Sequence, residues 1–229
     1  MHRQDEYLRD LVAQALQSAI DPVVRRHWPR LTQEHQLTSR IAESIEGHLN
    51  GAVFLDHTIT VIVQEMPDKG PGSLEKKTGV DLYFAVKVEG DHTNFEKGFF
   101  VQSKWDGLMT PKERERLGEQ CEAMHWKSKI GSFVWLYGDT GTAVIPAGEL
   151  LQDPSVNPGE LTSRNLNEFF SDVMDCTSGD RQLVMPGVFK NVDALNVMLR
   201  EFGVATGVAV TIRKRADAKP RPLKKPLRG

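Results

Sequence analysis

The amino-acid sequence predicts an α/β domain built on a mixed β-sheet flanked by helices. Three observations predict it. Stretches with helical spacing of apolar residues exchange with short β-branched or aromatic runs along most of the 229 residues. One helical stretch, over 111–126, stands between two strand-like runs, which fits a mixed sheet. At 39% hydrophobic residues, the chain also holds enough apolar material to bury a core.

The elements follow in order. Residues 5–27 read as an amphipathic helix, with Tyr7, Leu8, Leu11, Val12, Ala15, Leu16 and Ile20 recurring at three- and four-residue spacing before Pro22 perturbs it. Thr32–Leu49 reads as a second helix, with Thr32 as N-cap and Leu37, Ile41, Ile45 and Leu49 as its apolar stripe, ended by Asn50-Gly51. Thr58–Gln64 is β-branched and alternating, hence a strand, and 67–72 is a loop rich in Pro, Gly and Lys. Two further strands, Gly79–Val88 and Lys97–Trp105, are joined by a turn over 89–92. Pro111 suits the first turn of the helix that runs to Trp126, with Leu117, Cys121 and Met124 on one face. Gly131–Tyr137 and Thr142–Ile145 form a strand pair around the turn Gly138–Gly141; 163–175 and 190–202 are helical, and Val204–Ile212 is a last strand.

Composition excludes several classes. No apolar run approaches the roughly 20 residues of a membrane span, and Met1–Leu16 is too charged for a signal peptide, so a cytoplasmic protein is expected. Cys121 and Cys176 stand alone, without the CxxC spacing of a zinc site or a disulfide scaffold. Net charge is −2, yet Arg213–Gly229 carries eight basic residues and one acid, leaving an acidic body of −9. That segment has three prolines and almost no apolar side chains, so it is expected to be a disordered, phosphate-attracting tail, with Lys214 and Arg215 as candidate nucleic-acid contacts. A plain solubilising tail is the alternative.

The chain lacks GxSxG, GxxxxGK(S/T), HExxH and a GxGxxG that opens a helix, and its seven histidines are scattered. One constellation remains. Asp81 opens one strand, and Gln102 and Lys104 share a face near the end of the next, because strand side chains alternate. If the two strands pair as a hairpin, a carboxylate, an amide oxygen and an ammonium converge. Mg²⁺ takes oxygen ligands and keeps waters, and a lysine beside a bound water can orient it or steady its hydroxide. Taken singly, each residue also reads as an ordinary strand-end or surface group.

The segments Lys77-Thr78-Gly79-Val80-Asp81 and Gly98-Phe99-Phe100-Val101-Gln102-Ser103-Lys104-Trp105 resemble the PD-(D/E)xK nuclease superfamily, nearest to the Mrr-like branch whose catalytic strand reads Gln-x-Lys. The resemblance covers about residues 30–150 and includes the helix and strand that follow. It departs in having Val80 where a proline usually precedes the aspartate, and an uncharged Gln102 in place of the commoner glutamate. It implies a restriction-endonuclease-like fold, with an N-terminal helical extension at 1–30, a nuclease domain at 31–212 and the tail at 213–229. It implies Mg²⁺ or Mn²⁺ as cofactor, with Asp81 and Gln102 as metal ligands and Lys104 as the catalytic lysine.

The superfamily usually adds an acid from the helix before the sheet. With Ile41 at zero, the apolar stripe of that helix spans about −40° to 80°, Glu34 falls near 20°, Glu46 near 140° and Glu43 near 200°. An acid inside an apolar stripe needs a partner, so Glu34 is the choice; a first-turn acid favoured by the helix dipole is the alternative, and Glu75 a further candidate. Gln120 is a candidate contact to the site or to a nucleic-acid backbone, against the reading of a surface amide. Trp105 and Trp126 read as packing residues, either of which could stack on a base.

The function expected is metal-dependent phosphodiester hydrolysis, of DNA before RNA, in a defence role against foreign DNA. The alternative is a catalytically inactive nucleic-acid-binding or assembly subunit that keeps the fold. The helix at 5–27 could further serve as a surface for self-association or a partner protein.

Overall fold

The computed structural model describes residues 3–28, 30, 33–66, 80–91 and 93–216, without the side chains of Arg3 and Gln4. The expected Thr32 cap, the loop at 67–72, Glu75, Lys77-Thr78-Gly79 and the tail beyond Ala216 lie outside the described residues.

The chain order is α1 (Arg3–His27), α2 (Glu34–Leu49), β1 (Val53–Phe54), β2 (His57–Glu65), β3 (Leu82–Glu89), β4 (Asn94–Trp105), α3 (Pro111–Lys127), β5 (Ser132–Gly138), β6 (Gly141–Pro146), α4 (Ala147–Gln152), β7 (Arg164–Asn165), α5 (Leu166–Met174), α6 (Val192–Phe202) and β8 (Thr206–Lys214). The strands form one eight-stranded mixed sheet in the order β1-β2-β8-β3-β4-β5-β6-β7. β3 and β4 pair antiparallel as the expected hairpin, and β5 joins β4 in parallel after the α3 crossover. β8 is inserted between β2, to which it is antiparallel, and β3, to which it is parallel. The segment after residue 150 therefore closes the same sheet rather than forming a separate unit.

Helices cover both faces. α1, α2 and α5 pack on one, around Leu16, Ile41, Phe84, Phe99, Trp135 and Phe169. α3, α4 and α6 pack on the other, around Tyr83, Phe100, Cys121, Leu136 and Leu199. Two covered faces explain why β3 and β5 read as nearly unbroken apolar runs. Aromatic rings bind the first layer: Phe99 meets the Phe169 ring edge-on at 5.1 Å, and Phe133 meets it at 4.7 Å. Gly98 leaves room for this hairpin, since a Cβ there would sit 2.9 Å from the Tyr83 ring and 3.0 Å from the Leu183 carbonyl.

Some expectations are corrected. The N-terminal helix is not an appendage: Leu8, Val12, Leu16, Ile20 and Val24 are part of the main core. Pro22 lies inside α1 without ending it, because buried residues on both sides hold the helix to the sheet although one backbone bond is lost. The buried Asp21 accepts from the Thr142 N–H at 3.0 Å and so ties α1 to the β5–β6 turn. β8 extends through Arg213 and Lys214, two residues into the expected tail, since His57 and Thr58 of β2 continue the ladder there. Arg213 is bonded to Glu89, and Lys214 to Asp91 with Asp56 nearby, so both charges are already paired. Arg215 is exposed and its backbone N–H donates to the Asp56 carbonyl at 2.8 Å. β1, β7 and α4 were not expected; two-residue strands and a six-residue helix are too short for a periodic pattern. None of the described helices is long and apolar enough to cross a membrane.

Candidate functional site

The hairpin register sets the site. Leu82 faces Val101, which puts Asp81 one rung further along, opposite Gln102. The Asp81 N–H donates to the Val101 carbonyl at 2.9 Å, and its own carbonyl accepts from Thr206 of β8 at 3.3 Å. The inserted C-terminal strand thus helps to fix the aspartate's backbone. Asp81 is only 3% exposed and Gln102 2%.

The Asp81 Oδ2 atom accepts two bonds of 2.6 Å, one from the Gln102 side-chain nitrogen and one from the Ser103 backbone N–H. Short bonds to a carboxylate are the charge-assisted kind. The Gln102 nitrogen also donates to the Ser103 carbonyl at 3.2 Å. Two acceptors on one side of the amide fix its orientation, because turning it would set oxygen against oxygen. Among the described residues Gln102 Oε1 is left buried without a donor, an arrangement that costs about 1–3 kcal/mol where no water or ion repairs it.

Lys104 follows on the same strand face, half-buried and paired in the ladder with Leu136. It makes no hydrogen bond or ion pair among the described residues. Its charge reaches α3: burial pushes the Cys121 thiol up to about 12, and Lys104 works against that push. Glu113 is held low first by its bonds to Thr110 in the capping box of α3, and Lys104 adds a small pull in the same direction.

Glu34 is half-buried at the start of α2, while Glu43 and Glu46 are exposed, as the stripe geometry predicts. α2 packs on the sheet face opposite to that of Gln102 and Lys104. Glu34 nonetheless stays near the site's rear wall. The Tyr137 phenol is pushed well above its ordinary value, chiefly by burial, and the charges of Asp81 and Glu34 both raise it further. Gln120 is half-buried on α3 with its Oε1 also buried and, among the described residues, unpartnered, so it is not a plain surface amide.

The sequence reading missed Thr38, Ser103 and Tyr137, whose hydroxyls meet behind Asp81 at 3.0–3.2 Å. A signal existed for two of them. Thr38 falls at about 60° inside the apolar stripe of α2, and Ser103 alternates with Val101 and Trp105 on an otherwise apolar strand face. Trp105 packs against Tyr137 with ring centroids 6.1 Å apart, but Trp126 is 89% exposed.

Among the described residues no three His, Cys, Asp or Glu side chains cluster closely enough to hold a metal. Asp81 and Gln102 supply one carboxylate and one donor-free amide oxygen. That pair fits a hard divalent cation that keeps most of its waters, such as Mg²⁺. Comparison with protein families, curated proteins and solved structures finds no match to this chain.

Proposed function

We propose that the chain is a divalent-metal-dependent phosphodiesterase of the restriction-endonuclease-like class, acting on nucleic acid and on DNA before RNA. The observation that carries the reading is the buried Gln102 Oε1, without a donor among the described residues, beside a buried carboxylate and two residues from a half-buried lysine on the same strand face. The order of hairpin, crossover helix and parallel strand supports the fold assignment, together with the Gly-x-Asp and Gln-x-Lys motifs.

Mg²⁺ or Mn²⁺, when bound, would polarise the scissile phosphate and lower the pKa of a coordinated water. Asp81 and Gln102 would hold it, with Glu34 as a further acid. The chain's own contribution is positional. The Ser103 N–H keeps the Asp81 carboxylate aimed, and the β3–β4 and β4–β5 ladders keep Gln102 and Lys104 on one face. Lys104 orients the attacking water and opposes the negative charge that develops on phosphate.

The test is cleavage of plasmid, linear duplex, single-stranded DNA and RNA with Mg²⁺, Mn²⁺ or EDTA, comparing wild type with Asp81→Ala and Lys104→Ala. Metal-dependent cutting lost in both variants is the expected result; full activity in both sinks the assignment. Gln102, which carries no charge at the second ligand position, favours a second reading, a non-cutting nucleic-acid-binding or assembly subunit. Binding without cleavage, unaffected by Lys104→Ala, would select it. A role in defence against foreign DNA, in the cytoplasm, belongs to the first reading.

A further inference from the structure

Three hydroxyls from three elements close a triangle behind Asp81. Thr38 Oγ1 of α2 lies 3.0 Å from Ser103 Oγ of β4 and 3.2 Å from the Tyr137 hydroxyl of β5, and the last two are 3.1 Å apart. Thr38 also donates toward the Glu34 carbonyl at 3.2 Å. Three protons can fill three of these four contacts at a time, so each hydroxyl finds an acceptor within the cluster or at the Glu34 carbonyl.

We infer that this triangle is a positioning device for the metal-binding acids: it locks the first turn of α2, which carries Glu34, to the strand residue whose N–H holds Asp81. The inference rests on the metal-dependent reading above. Ser103 is the joint, because its backbone N–H bonds the Asp81 carboxylate while its hydroxyl bonds Thr38 and Tyr137. Thr38 lies one turn from Glu34 and holds its carbonyl, so the triangle fixes where that turn stands. Packing alone would be served by apolar side chains of similar shape, as at neighbouring Leu37, Ile41 and Trp135, and without the desolvation cost of three hydroxyls.

The test is Mn²⁺ affinity of the full chain, read from the paramagnetic resonance signal of free Mn²⁺, with a thermal melt of each variant. Tyr137→Phe and Thr38→Val are expected to weaken Mn²⁺ binding about 10-fold, and Thr38→Ser to restore it. In a Glu34→Gln background, Tyr137→Phe should add no further loss, because the acid it positions is gone. Unchanged affinity in both Tyr137→Phe and Thr38→Val overturns the inference. So does a Tyr137→Phe penalty of equal size with and without Glu34, which marks a merely structural role. A wild type that binds no Mn²⁺ at all overturns the metal reading together with this inference, a pattern distinct from either. If Tyr137→Phe does not fold, the Thr38→Val and Thr38→Ser pair decides.

Discussion

Asp81 and Gln102 meet at 2.6 Å through the amide nitrogen, while the amide oxygen finds no donor among the described residues. Without a cation, a glutamate at 102 would set two buried carboxylates against each other. An amide instead satisfies Asp81 and keeps its own oxygen in reserve. The uncharged residue in the motif is therefore compatible with a site that is assembled before any metal arrives.

Gln102→Glu follows directly. Replacing the donor with a second acid removes one of the two 2.6 Å bonds to Asp81 and adds repulsion. Stability in EDTA should fall by about 1–3 kcal/mol, and Mg²⁺ should restore more of it than in wild type. Thermal melts with EDTA and with Mg²⁺ check both arms; a variant as stable as wild type in EDTA contradicts the geometry.

Lys104→Ala should separate chemistry from folding. Lys104 forms no hydrogen bond or ion pair among the described residues and is half-buried, so its loss should change stability by about 1 kcal/mol or less. Cleavage should drop at least about 100-fold, the scale of losing one group that stabilises developing charge. Initial rates on the preferred substrate, beside a urea denaturation curve, give the comparison.

Gly141→Ala tests how α1 is tied to the sheet. Gly141 has φ +126°, and a Cβ would meet the Asp21 carboxylate at 2.7 Å. The backbone strain alone is worth about 1–3 kcal/mol, before Asp21 is displaced from the Thr142 N–H. Equilibrium denaturation of Gly141→Ala and Asp21→Ala should show both destabilised, and the two effects should be non-additive in the double variant.

Alkaline pH should destabilise the fold. The Cys121 thiol is pushed from an ordinary value of 9.0 up to about 12 by burial, so the unfolded chain loses this proton before the folded one does. The Cys121 contribution is fully present below pH 9 and falls between about pH 9 and 12, at a slope of about 1.4 kcal/mol per unit, while Lys97 and Lys127, lowered by burial from 10.5, act in the opposite sense until pH passes that value. Tyr83 and Tyr137, whose phenols burial also raises, add to the fall above pH 10. At pH 8 a thiol reagent should modify exposed Cys176 quickly and reach buried Cys121 only on unfolding. Denaturation midpoints between pH 8 and 11, and timed thiol titration, check the two statements.

What the sequence determined by itself was whatever depends on near neighbours along the chain. The apolar stripe of α2, the Pro111 start of α3, the alternation of β2 and the turn between β3 and β4 are local patterns, and each element stands where its pattern lies. Alternation alone put Gln102 and Lys104 on one face, and the hairpin brought Asp81 to them. The tertiary structure decided what depends on partners distant in sequence. β8 could be read as a strand, but its place between β2 and β3 follows from long-range pairing that leaves no local trace. Arg213 and Lys214 read as tail because their partners, Glu89 at the end of β3 and Asp91 just after it, lie more than a hundred residues away. The rear wall of the site is the sharpest case. Thr38, Ser103 and Tyr137 come from three separate elements, and only their packing turns three ordinary hydroxyls into one cluster beneath the carboxylate.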